Sequence, residues 1–292
     1  MSTLRTVVLT TLAWTLFAAG LAGAIVWSGV YPVGASREHF QFVYSILETT
    51  MRHSVQRSAR DVMVPDLSSP ALAARGAACY RQHCAQCHGA PGVAPDPIGR
   101  GMQPLPGPLV DAMRRWQPGE IYWITRHGIR MSGMPAWQYR LEEPDLWALV
   151  AFIGTLPHIS PAAYAAAQPA TRVDGARSAA DPVTACGLSA AQRDAAPPRG
   201  PDPARGLLAL SQYACSTCHQ VPGATGSAAQ VGPALDRIAT RSLIAGKLAN
   251  TPENMVRWIR HPQQIDPLTA MPDLDVTETD ARDIAAYLAT LR

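Results

Sequence analysis

The sequence predicts a mainly α-helical chain: an N-terminal transmembrane helix followed by two similar helical domains in tandem. Three observations carry that fold class. An apolar run without a single charge fills the space between Arg5 and Arg37. The string Cys-x-x-Cys-His occurs twice, at 84–88 and 215–219, each time among the same landmarks in the same order. No stretch alternates apolar and polar residues for long enough to read as a strand.

Composition narrows the function classes. The 292 residues leave room for two globular domains. Hydrophobic residues make up 47% and charged residues 16%, which excludes a charged, disordered tail protein. Net charge is +3 with no basic block, so nucleic acid is not among the expected partners. Six cysteines in a chain this long do not make a disulfide scaffold, because its core needs no staples.

The first element spans Thr6 to Tyr31. About 20 apolar residues cross a bilayer as a helix, whereas a secretory signal has an apolar core of about 7–15. Length therefore favours an uncleaved anchor over 1–36. Small residues at Ala22–Ala24 and Gly34–Ser36 keep a cleaved signal as the alternative. Trp27 and Tyr31 suit the far membrane interface, and Arg5, the only charge before the span, favours a cytoplasmic N-terminus with the remainder outside. Over 37–69 a connecting helix is expected, because Phe40, Val43, Leu47, Met51 and Val55 recur at spacings of three and four. That stripe serves either to pack on the following domain or to dock a membrane partner beside the anchor.

The repeat defines the two domains. Ala74-Arg75-Gly76 precedes the first cysteine string and Ala204-Arg205-Gly206 the second. Gly133-Met134-Pro135 answers Ala270-Met271-Pro272, and Trp147–Leu156 answers Arg282–Leu291 as short amphipathic helices. Further helices are expected over Glu120–His127 and Pro252–Arg260. The offset between copies drifts from 131 to 137 to 135, so loops differ in length while the landmarks keep their order. The domains are 70–157 and 204–292, joined by an Ala/Pro-rich linker over 158–203.

The cysteine spacing has a chemical reason. Two thiols three residues apart, on the turn that ends a helix, can each add to one vinyl group of a haem, and the adjacent His falls beneath the iron. Cys-x-x-Cys-His is accordingly the attachment string of c-type haem. Chance gives about 0.003 matches in a chain of this composition. A four-thiolate zinc site wants its pairs about 15–20 residues apart, and a redox dithiol wants a strand–helix setting. Two covalently bound haem c groups are therefore expected, on Cys84, Cys87 and His88 and on Cys215, Cys218 and His219. For the sixth iron ligand the repeat singles out Met134 and Met271, each followed by Pro. Met/His ligation raises the potential of a haem relative to bis-His. Met131, His127 and His261 are the rival ligands, and Met102, without a counterpart, reads as core or loop.

Both halves resemble class I cytochromes c, through ARGAACYRQHCAQCHGAPG with SGMPAW and through YACSTCHQVPG with TAMPDL. The order of anchor, helix and two modules is similar to membrane-anchored dihaem cytochromes c of proteobacteria. The resemblance implies that each module's first helix crosses its last, with Gly76 meeting Phe152 and Gly206 meeting Tyr287. It also implies a proline carbonyl that accepts the Nδ1 proton of the proximal His. Pro233 matches for His219, while 106–109 reads Pro-Gly-Pro-Leu and leaves the partner of His88 open. Cys79 and Cys186 remain, either joined as a disulfide that ties the linker to the first module or unrelated.

These readings lead to electron transfer rather than catalysis by the chain itself, since no convergent triad, carboxylate pair or phosphate loop is found. Asp280, Asp283 and Glu278 suit the start of the last helix, where its dipole favours acids. The expected role is a carrier anchored in the bacterial inner membrane, single-pass, with its haem domains in the periplasm. It would take electrons from a quinol–cytochrome complex or soluble cytochrome to a terminal haem–copper oxidase. The alternative is the electron-accepting subunit of a periplasmic substrate dehydrogenase. A dihaem peroxidase is disfavoured by two methionine-containing modules.

Overall fold

A computed structural model describes residues 2–166, 186, 199–226 and 231–292, so most of the expected linker lies outside the described residues. The chain divides into two units, 1–186 and 187–292, each with its own core. It is mainly helical, as its patterning predicts.

The first helix, α1 (Ser2–Ser28), is exposed along its length. Within Thr3 to Ser28 an 18-residue stretch reaches a mean hydropathy of 1.8, and the helix is long and apolar enough to cross a membrane. In the same unit follow α2 (Gln41–Ala59), α3 (Pro70–Cys79), α4 (Ala85–His88), α5 (Pro97–Arg100), α6 (Ala112–Arg115), α7 (Pro118–His127), α8 (Glu143–Thr155) and α9 (Pro161–Ala166). Most begin with proline in the first turn, where its missing N–H costs nothing. The Gln117–Glu120 capping box starts α7, and Gly128 at φ +66 ends it.

The stripe on α2 divides. Val55 and Ala59 are buried, and the Arg52 guanidinium lies 5.0 Å above the Trp116 ring. Phe40 and Leu47, in the first half, stay 60% and 52% exposed. The packed-helix reading thus holds for the second half of the stripe only.

In the second unit, α10 (Pro203–Gln212), α11 (Pro252–Arg260), α12 (Pro262–Ile265) and α13 (Glu278–Leu288) surround a two-residue antiparallel pair, β1 (Leu243–Ile244) with β2 (Leu248–Ala249). Asp202 caps α10 and Thr251 caps α11, each accepting from backbone N–H groups of the first turn.

Each unit is organised by one helix crossing. A Cβ at Gly76 would lie 1.9 Å from the Ala148 carbonyl oxygen and 2.8 Å from the Phe152 Cβ. A Cβ at Gly206 would lie 2.0 Å from the Asp283 carbonyl oxygen and 2.9 Å from the Tyr287 Cβ. The α3–α8 and α10–α13 pairs therefore approach backbone to backbone, and only glycine permits it. Beside each crossing lies an ion pair whose carboxylate is buried and whose arginine is partly exposed. The Arg75 Nε donates to Asp145 at 2.5 Å, and the Arg205 Nε to Asp283 at 2.8 Å. Asp283 also accepts the Asp202 N–H at 2.7 Å. Asp283 is thus an internal partner of α10 rather than an acid placed for the helix dipole.

The Cys79 and Cys186 sulfurs are joined, which ties Cys186 to the buried end of α3. Alanine in place of Gly76 or Gly206 gains up to about 1 kcal/mol of helix propensity, but the overlap with backbone outweighs it. Each substitution is expected to destabilise its own unit by about 1–3 kcal/mol, read as a lowered denaturation midpoint with the other unit unchanged.

Candidate haem attachment sites

The first crossing aims α3 at its cysteines. The helix runs on from Cys79 through a π-helical turn over Tyr80–Cys84 into α4, so both thiols and His88 follow without a break. Gly89, at φ +67, ends the run, and its carbonyl accepts the Tyr80 hydroxyl at 2.7 Å. In the second unit nine residues, not eight, separate the crossing glycine from the first cysteine. There α10 stops at Gln212, Ala214 takes a left-handed φ of 55°, and a 3-10 turn carries Cys215–Thr217. Tyr287, from the last helix, donates its hydroxyl to the Pro222 carbonyl just beyond His219. The two units thus secure the chain after the histidine from opposite helices.

Both histidines are held the same way. The His219 Nδ1 lies 2.7 Å from the Pro233 carbonyl, and the His88 Nδ1 lies 2.7 Å from the Gly107 carbonyl. Gly107 therefore serves where the family pattern has proline, since what matters is the carbonyl. A carbonyl only accepts, so the proton sits on Nδ1 and Nε2 carries the lone pair a metal needs. Burial holds the His88 imidazole below its ordinary pKa, opposed by the bond to Gly107. The second ring also rests on backbone: a Cβ at Gly232 would lie 2.5 Å from its Cε1.

All four motif cysteines are free thiols. Burial, then the neighbouring Cys87, pushes Cys84 up to about 12. Burial likewise pushes Cys215 up to about 11. A reactive dithiol needs the opposite shift, toward the anion. A pair of free thiols beside a histidine whose lone pair is oriented by a backbone carbonyl fits covalent haem. The donor set and its packing therefore suit that group in both units.

Met134 and Met271 are half-buried and held alike. The Met134 N–H donates to the Ser132 hydroxyl and the Met271 N–H to the Thr269 hydroxyl, 3.2 Å in each case. Gln263 adds a bond to the Met271 carbonyl at 2.6 Å. The rivals are placed differently. Met131 is 92% exposed, His127 is exposed and stacks on Trp123, and His261 faces Asp273 at 3.7 Å. Met102 lies by the methionine turn, its sulfur 3.4 Å from where a Gly133 Cβ would be.

Gly232→Ala tests the seat of the second histidine. Its methyl group would displace the His219 ring, so the substitution is expected to shift the absorbance and potential of a haem held by that ring and of no other. Difference spectra and a redox titration of the full chain check this, the other haem serving as internal control.

Comparison with known proteins places both units. Residues 71–153 match the family described as cytochrome c oxidase, cbb3-type, subunit III, and residues 204–292 match the cytochrome c family. The cytochrome c oxidase subunit 2 of Alkalihalophilus pseudofirmus is 39% identical over 89 residues, 30% of this chain and 25% of that protein. The chain thus corresponds to about a quarter of that relative's length. No solved structure matches. Two cytochrome c domains therefore stand in tandem behind one apolar helix, and such domains imply covalently bound haem c and electron transfer.

Proposed function

We propose that the chain is a dihaem electron carrier held at the membrane by α1, with its domains over 70–157 and 204–292 on the periplasmic side, passing electrons to a terminal haem–copper oxidase. The duplicated arrangement of thiols, carbonyl-held histidine and hydroxyl-held methionine carries the reading. Cys84, Cys87, Cys215 and Cys218 would bind two haems, His88 and His219 would be the proximal ligands, and Met134 and Met271 the sixth ligands. When bound, the group supplies a one-electron couple, and no bond need form or break. The chain's part is to orient the imidazoles, hold the thioethers and shield the thiols from water. The oxidase as destination is supported by the subunit III description over 71–153 and by the oxidase subunit 2 relative.

Two measurements test this. Met134→Leu and Met271→Leu are each expected to move one of two one-electron waves to lower potential and leave the other in place. If neither wave moves in either variant, the ligand assignment fails. A C-terminally tagged chain, extracted from membranes in mild detergent, is expected to bring down haem–copper oxidase subunits. A flavin, quinone or molybdenum enzyme in their place would make it the exit subunit of a dehydrogenase.

A further inference from the structure

A four-residue turn closed by the same backbone hydrogen bond precedes both methionines. In the first unit the Ser132 N–H donates to the Ile129 carbonyl at 3.3 Å, and in the second the Thr269 N–H donates to the Asp266 carbonyl at 3.0 Å. The fourth residue of each turn supplies the hydroxyl that holds the methionine. The third residue is apolar and stands in solvent: Met131 is 92% exposed and Leu268 94%. One exposed apolar side chain needs no explanation. The matching position in both units does, the more so because Met131 is held at a φ of 64°, a conformation that disfavours side chains by about 1–2 kcal/mol. Glycine would remove that cost and the apolar tip with it.

The chain segments that carry the two tips differ in sign. From Gly128 to Leu141 the only charged residues are Arg130, beside Met131, and Arg140, both exposed. From Pro262 to Val276 they are Asp266, Asp273 and Asp275, the last two exposed. The Asp266 carboxylate accepts the Leu268 N–H at 3.2 Å and lies 3.8 Å from Lys247, which offsets one of the three charges. An apolar centre with a charged rim is the composition of a specific protein contact, and the rim sets which partner approaches and how fast.

We propose that the Met131 and Leu268 turns are the docking points for redox proteins of opposite surface charge. An apolar patch with an acidic rim docks at Met131, and one with a basic rim docks at Leu268. This rests on the reading of Met134 and Met271 as iron ligands, which puts each tip three residues from a metal. Two partners of opposite charge then meet two different haems, so the chain has distinct electron entry and exit surfaces.

The test uses the full chain in detergent, reduced, and mixed with an outer-sphere oxidant in a stopped-flow spectrometer. Hexacyanoferrate(III), an anion, is expected to oxidise one haem faster, and tris(phenanthroline)cobalt(III), a cation, the other. Both rates should fall as salt rises through the range where the screening length shrinks to a few ångströms. Arg130→Glu should lower the anion's rate about fivefold without touching the cation's, and the double variant Asp273→Lys, Asp275→Lys should do the reverse. Met131→Gly suits the left-handed backbone at that position, and both it and Leu268→Gly should leave the small-ion rates unchanged. Met131→Gly should slow exchange with an acidic blue-copper protein about tenfold, and Leu268→Gly exchange with a basic single-haem cytochrome c about tenfold. Charge variants that leave both small-ion rates unchanged, or tip variants that leave both protein rates within about twofold, would overturn the proposal. A chain that purifies without haem absorbance would overturn the carrier reading and the docking proposal together, and is distinct from either result.

Discussion

At Gly76 and at Gly206 there is no room for a single additional carbon, and the geometry of each domain follows from that exclusion. A helix that must touch the backbone of another has its tilt and register fixed to within a few tenths of an ångström. Because α3 is pinned to α8, the chain leaving α3 delivers Cys84, Cys87 and His88 to one place, and α10 pinned to α13 does the same for Cys215, Cys218 and His219. The ion pairs at Arg75–Asp145 and Arg205–Asp283 join the same helices beside the contact. Burying a carboxylate is costly unless it is paired, so a slip of the crossing that parts the pair is penalised as well. In the first domain Asp145 Oδ2 has no partner among the described residues, so its whole compensation comes through the other oxygen.

The two copies meet the same demands with different parts. One runs from the crossing to its cysteines through a π-helical turn; the other, one residue longer, absorbs the extra residue in a left-handed Ala214. One orients its histidine with Gly107, the other with Pro233. One ties down the chain after the histidine with Tyr80 from the first helix, the other with Tyr287 from the last. In each case the conserved quantity is a backbone carbonyl at hydrogen-bond distance, which many sequences can supply. Side-chain identity is repeated where an atom of that side chain is itself used, as in the Arg75–Asp145 and Arg205–Asp283 pairs, or is proposed to be, as in the thiols, the imidazole and the thioether.

That distinction explains what the sequence disclosed. The cysteine strings stood out because they require residue types at a fixed spacing, the methionines stood out because they repeat before a proline, and the glycine–aromatic crossings followed from the resemblance to class I cytochromes c. Gly107 did not, because any residue carries a carbonyl and only the fold says which one faces the ring. Asp283 read as a helix-terminal acid, since its pairing with Arg205 spans 78 residues and leaves no local pattern. The Cys79–Cys186 pairing stayed open for the same reason, its partners lying 107 residues apart. The stripe from Phe40 to Val55 showed a periodicity but not where its cover ends, which depends on how far the neighbouring helices extend.

Covalent attachment ties these observations together. A domain of under 90 residues buries a small core, and a cofactor held only by burial would have to be enclosed by loops of constrained shape and polarity. Thioether bonds relieve the loops of that duty. With two cysteines, a histidine and a methionine as the proposed holders of the group, the turn beside the methionine is free to vary at its rim while its hydrogen bonds are kept. The two turns here follow that division: hydroxyl, methionine and proline are retained, and Ile-Arg-Met is exchanged for Asp-Pro-Leu. Retention lies where the group is gripped, and variation lies where a partner would be met. A duplicated domain could in this way keep one internal chemistry and acquire two different surfaces.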